Sequence, residues 1–217
     1  MNNVEKETRD LINIFKQYQE TTEKNGSITA KSLNYLADYT KRKLDAIDIF
    51  MSIDGELALL KIFKYGYYDK IIDIIIKGQG KKINKLEEKY ELMEILVKEN
   101  RIFAISFLIV EGWKINEKDK SAKKLLEKVV LAGNKIVLQS LTNTQKNFNF
   151  ALEIRDNKTL SQIVFKELET NVYLSNHQKN KLENLLNFLK VEETKSLNKI
   201  LEKDLTIKEN KSSKLKI

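Results

Sequence analysis

The chain has 217 residues and a formal net charge of +8, with 41% apolar and 32% charged residues, seven Gly, no Pro and no Cys. Such a composition fits a globular domain or a short repeat array able to bury a core, and excludes a disordered chain. The lack of Cys excludes disulfides, thiol catalysis and the common zinc sites together.

Helix formers are abundant and breakers scarce, so the expected fold class is all-α. The opening MNNVEKETRD mixes acids with bases and has no apolar run, so no secretory signal is expected. The most apolar run, IIDIIIKG at 71–78, is too short to span a bilayer. The expected location is the cytoplasm, or a host cell reached by a signal-less route, with no membrane span.

Residues 3–20 place Val4, Leu11, Ile14, Phe15 and Tyr18 on one side of a helix. Asn25-Gly26 stops it, and Ser27 or Thr29 caps the next one. From Ala30 onward the spacing predicts short helices with dense apolar positions, as expected where two sides are covered. A last helix begins near Asn176 and carries Leu182, Leu185, Leu186, Phe188 and Leu189, then Leu197, Ile200 and Leu201. The final LTIKENKSSKLKI is predicted to be a flexible Lys-rich tail.

Internal similarity is the productive signal. Aligning 54–84 with 91–116 puts Gly66 on Asn100, Ile62-Phe63 on Leu96-Val97, Ile75-Ile76 on Leu108-Ile109, and Ile83-Asn84 on Ile115-Asn116. A third copy, KLLEKVVLAGNKIVLQSLT at 124–142, places Gly133 at the same turn. Turns at 66, 100 and 133 are spaced by 34 and 33 residues.

These stretches, with LALLKIFKYGYYDKIIDIII and LIVEGWKIN clearest, resemble the ankyrin repeat. The likeness is plain over residues 54–142 and weaker over 32–55 and 148–168. It implies a solenoid of stacked helix-turn-helix units with capping helices at both ends: an N-terminal cap over 1–25, repeats over 30–168, a C-terminal helical cap over 170–204 and the tail over 205–217. The resemblance also implies that Gly112 ends an outer helix in the left-handed conformation, that Ile115 plugs the core between repeats, and that Asn116 bonds loop backbone. The family's Thr-Pro-Leu-His helix start is missing. The matching positions read Leu57-Ala58-Leu59-Leu60, Glu91-Leu92-Met93-Glu94 and Lys124-Leu125-Leu126-Glu127.

No residue cluster supports a reaction. His177 is the single histidine, and neither a triad nor a metal set can be assembled around it. KGQGKKIN (77–84) lacks the preceding strand and the following Ser or Thr of a phosphate-binding loop, so it reads as a helix end and a repeat loop. Asp54 with Glu56, Glu87-Glu88 and Glu192-Glu193 read as solvated surface. The expectation is a non-enzymatic protein-interaction module, with no cofactor and no metal.

In the repeat register a concave face carries Lys61, Lys64, Tyr65, Tyr67 and Tyr68, then Lys98, Arg101 and Trp113. An aromatic strip flanked by bases suits a protein partner with an acidic surface. The rings have a second reading, as caps on the core between repeats. Two other function classes remain open: a Lys-rich helical nucleic-acid-binding protein and an oligomerising structural bundle. Against nucleic acid, the 31 acids are interspersed with the 39 bases, of which only four are Arg.

Overall fold

The computed structural model describes residues 2–65, 69–145 and 148–213, with side chains over the same ranges except 69, 70 and 206–213. The chain is 70% helix and 3% strand. It divides into two compact units, Met1–Lys114 and Ile115–Ile217.

In the first unit, α1 (Asn3–Asn25) starts where the Asn2 side chain accepts the Glu5 N–H, and ends at Gly26 with φ 75°. Its buried face is Thr8, Leu11, Ile12 and Phe15; Val4 is exposed, so the apolar stripe is narrower than its sequence spacing suggested. Thr29 caps α2 (Ala30–Lys43) through the Ser32 N–H. A short antiparallel hairpin follows, β1 (Ser52–Ile53) with β2 (Glu56–Leu57), in register Ser52↔Leu57 and Ile53↔Glu56. Asp54 at φ 53° and Gly55 at φ 78° turn it, the consecutive left-handed pair that a tight hairpin requires.

Four more main helices complete this unit: α3 (Ala58–Tyr65), α4 (Asp69–Ile76), α6 (Lys89–Lys98) and α7 (Ile102–Val110), with the single turn α5 (Gly80–Ile83) after α4. Helices α1, α3 and α6 pack in one row, and α2, α4 and α7 in a second. The core between them holds Leu59, Ile62, Phe63, Ile71, Ile72, Ile75, Ile76, Leu96, Ile105 and Leu108. The expected core positions Ile75 and Leu108 are both buried.

Two helix ends in this unit share one pattern. At the end of α6 the Asn100 N–H bonds the Val97 carbonyl and the Arg101 N–H bonds that of Leu96, with Asn100 at φ 53°. At the end of α7 the Gly112 N–H bonds Ile109 and the Trp113 N–H bonds Leu108, with Gly112 at φ 103°. This crossed pair of bonds satisfies carbonyls that the helix leaves open, and it directs an apolar residue just beyond the left-handed one back onto the last turn. Gly112 therefore ends its helix as expected. Gly66, the first turn position of the aligned repeats, lies outside the described residues.

Gly80 has a different role. A Cβ there would sit 2.2 Å from the Glu111 carbonyl oxygen, so its missing side chain is what lets α5 press against the end of α7. The Glu111 carboxylate in turn accepts the Gly78 N–H at 2.9 Å. Ile83 is buried beside them, and the Asn84 side chain accepts the Lys114 N–H at 3.0 Å, joining one loop to the next.

The second unit contains α8 (Lys120–Leu131), α9 (Lys135–Thr142), α10 (Leu160–Thr170) and α11 (Asn176–Ser213). Helix α8 packs on α9, α10 and α11, and α10 packs along α11. The turn after α8 repeats the crossed bonds, Gly133 N–H to Val130 and Asn134 N–H to Val129, with Gly133 at φ 66°. Ile115 is buried, and its N–H and carbonyl are held by the Thr144 and Gln145 side chains. Asn116 accepts the Lys118 N–H, the backbone contact expected of it. A second tight turn, Asp156 and Asn157 at φ 53° and 56°, sits inside the Arg155↔Lys158 bridge just before α10.

Helix α11 corrects the sequence reading in two ways. Leu182, Leu185, Leu186 and Leu189 are buried as expected, but Leu197, Ile200 and Leu201 are exposed. The helix also continues to Ser213, through much of the stretch expected to be a flexible tail. No Gly or Pro interrupts that stretch, and its Leu, Lys and Glu are strong helix formers. Among the described residues no helix is long and apolar enough to cross a membrane.

Candidate functional site

The residues expected on the concave face belong to the first unit, and the structure brings only some of them together. Lys61 and Tyr65, on the last turns of α3, line a cleft of about 200 Å³ with Arg9, Asn13 and Lys16 of α1 and the hairpin residue Asp54. Arg9, Asn13 and Lys16 fall at i, i+4 and i+7 of one helix, so they share a face. The packing of α1 on α3 turns that face toward Lys61.

The bases of this region are mostly answered from within the chain. The Arg9 guanidinium donates to both Asp54 oxygens, at 2.8 and 2.9 Å, and to Glu5 at 3.1 Å. The hydrogen bond to Asp54, then that to Glu5, raises the Arg9 pKa; the same bond from Arg9, aided by the charges of Arg9 and Lys61, lowers that of Asp54. The Lys61 ammonium stands 3.5 Å from the second Asp54 oxygen, and its side chain is 16% exposed. Lys64 pairs closely with Glu56 and reaches Glu91 on α6 at 4.0 Å; the Glu56 hydrogen bond raises its pKa. Carboxylates thus neutralise Lys61 and Lys64, which the sequence reading had offered to a partner. Lys16 has no ion pair among the described residues.

The remaining candidates separate. Lys98 is exposed and Arg101 half-buried at the C-terminal end of α6. Tyr67 and Tyr68 lie outside the described residues. Trp113 does not belong to a surface strip: it is 1% exposed, its ring edge-to-face with that of Tyr90 at a centroid distance of 6.0 Å. Its place in the crossed-bond cap of α7 folds it back onto the core, so of its two sequence readings the structure shows the core cap. The indole N–H has no partner among the described residues.

Sequence reasoning missed two features. One is the Asp54 turn, dismissed as solvated surface although Asp-Gly between alternating residues is a strong hairpin signal; its carboxylate clamps α1 to α3. The other is the outer face of α7, where Phe103 and Val110, seven residues apart, are 79% and 81% exposed. A helix apolar all round cannot bury every side when it lies in an outer row.

His177 is exposed at the start of α11, and among the described residues no group of three or more His, Asp or Glu is placed to hold a metal ion. Comparison with family models, with curated proteins and with solved structures finds no match.

Proposed function

We propose that this chain is a non-enzymatic protein-binding module, an array of degenerate ankyrin-like helix pairs whose α1–α3–α6 row receives a protein partner. The observation that carries the reading is the cleft between α1 and α3. It has a base with no ion pair among the described residues, Lys16, a half-buried phenol, Tyr65, and an apolar back wall of Ile12 and Ile53. A rigid aromatic beside a charge is the chemistry of interface anchors. Two rows of packed helices hold that cleft open without help from a ligand, so binding loses little to ordering. The revised contact set is Lys16, Tyr65 and Lys98, with Arg101 at its edge. Nucleic acid is a poorer fit, because the surrounding bases are tied to Glu5, Asp54, Glu56 and Glu91.

The test is an affinity measurement on a partner isolated with the intact chain. Changing Lys16→Glu and Tyr65→Ala together should weaken that partner by about 10- to 100-fold, with the melting temperature nearly unchanged. An unaltered affinity would place the interface elsewhere.

A further inference from the structure

A groove in the second unit has no place in the reading above. It has a volume of about 510 Å³ and lies between Phe148-Asn149 and one side of α11, where Ser196, Lys199, Ile200 and Lys203 stand.

Its floor is apolar and fixed. Phe148 is buried, edge-to-face with Phe150 at 4.9 Å, and Phe150 meets Phe188 of α11 at 5.9 Å in the same way. The backbone beside it is pinned by three hydrogen bonds. Asn149 N–H donates to the Glu117 carboxylate at 3.1 Å, Phe150 N–H to the Ser196 hydroxyl at 3.2 Å, and Ala151 N–H to the Asn149 side chain at 3.0 Å. Residues without helical bonds are here given side-chain partners, so the groove exists before anything enters it.

Its rim is charged. Lys199 and Lys203 are one helical turn apart, about 6 Å along the axis. Both are exposed and carry no ion pair among the described residues, with Glu202 the one acid on the rim. Other lysines of the unit are engaged: Lys195 holds Glu192 at 2.7 Å, Lys190 lies over the Phe165 ring and Lys135 over that of Phe188. Two unengaged ammonium groups above an apolar floor call for an occupant with carboxylates and one bulky apolar group. Two bases without Arg are too few to track a phosphate backbone. The acids Glu192, Glu193, Glu202 and Asp204 along the same helix argue against an anionic lipid surface. The volume is that of a few side chains, so a segment fits and a domain does not.

We propose that this groove docks an acidic peptide segment of a partner protein, with one bulky apolar side chain on the Phe148–Ile200 floor and two carboxylates on Lys199 and Lys203. The contact is independent of the cleft between α1 and α3.

A displayed random-peptide library panned on the intact chain tests it. Enriched sequences should carry two Asp or Glu residues beside a bulky apolar one. A fluorescein-labelled peptide of the enriched sequence, followed by anisotropy, should lose at least tenfold in affinity for the K199E/K203E variant. The same peptide with Lys replacing its acids should regain affinity for that variant, a swap that mere loss of structure cannot produce. The pair Lys16→Glu and Tyr65→Ala should leave this peptide's binding intact. The proposal is overturned if no sequence enriches, if enriched peptides lack acids, or if K199E/K203E binds them as the parent does. It is also overturned if a labelled oligonucleotide or anionic vesicles bind the groove in preference to the acidic peptide.

Discussion

Replacing Trp113 by Ala separates a core residue from a contact residue, and the structure sets the size of the effect. The indole is 1% exposed and rests against Tyr90. A buried aromatic removes roughly 150–250 Å² from water, which at about 25 cal/mol/Å² gives roughly 4–6 kcal/mol as an upper bound. Measured Trp→Ala losses in cores run about 3–5 kcal/mol. Since whole domains hold only about 5–15 kcal/mol, W113A should be near unfolding or unfolded at 37 °C. Trp113→Phe is the informative companion. It keeps most of the apolar area and deletes an N–H that has no partner among the described residues, so its cost should be under about 1.5 kcal/mol. Urea denaturation followed by far-UV circular dichroism measures both variants. Trp113 is also the sole tryptophan, so parental fluorescence reports on it directly: its emission should be blue-shifted and poorly quenched by acrylamide. Red-shifted, readily quenched emission, with W113A as stable as the parent, would refute the core assignment and return the ring to the surface.

Three further outcomes follow from the packing. Ile75→Asp or Leu108→Asp should each unfold the first unit, because an unpaired charge at a fully buried site costs several kcal/mol; a parental melting curve for both would show the repeat register to be wrong. Gly80→Ala should destabilise by about 1–3 kcal/mol, since its Cβ would strike the Glu111 backbone; a neutral result would mean α5 is free to shift from α7. Asp54→Asn keeps a residue tolerant of positive φ but removes the carboxylate that Arg9 clamps. Because the folded pKa of Asp54 is lowered from 3.8, its contribution is present above that value and lost as pH falls through the folded one. Parent and D54N should therefore differ in urea midpoint near neutral pH and converge only as pH falls below the lowered Asp54 pKa, and the difference should shrink in high salt.

What the sequence made legible was the part governed by local periodicity. Gly26, Gly112 and Gly133 end helices where the apolar rhythm stops, and Thr29 starts one, because backbone caps depend on a few adjacent residues. The core positions Ile75 and Leu108 follow from the aligned spacing, and the burial of Ile115 was what the resemblance implied. The site was less legible, for a physical reason. Whether Lys61 is available to a partner depends on Asp54 and Arg9, and Arg9 is 45 residues from Asp54 in the chain. No pattern in either segment announces the pairing. Trp113 is a middle case: the rule that the residue beyond a left-handed helix end packs back on the last turn was there to be applied, but hot-spot composition argued for exposure. Ile200 and Leu201 failed differently, because a continuing apolar stripe cannot show where the body it packs on ends.

The two tight turns bear on how such a chain recognises anything. Asp54-Gly55 and Asp156-Asn157 precede α3 and α10 with two successive left-handed residues each, and they lie 102 residues apart, three times the 34-residue spacing. Helices α6 and α8 begin instead from simple caps, Glu88 and Asp119, each at φ −79°. Among the described residues such paired left-handed turns occur at these two positions, and at one of them Asp54 clamps Arg9. On the proposed reading a partner meets helix faces and the grooves between them rather than a row of loop tips. That is why Tyr65 and Lys16 in one unit, and Lys199 and Lys203 in the other, are the residues whose replacement should be felt in binding and not in folding.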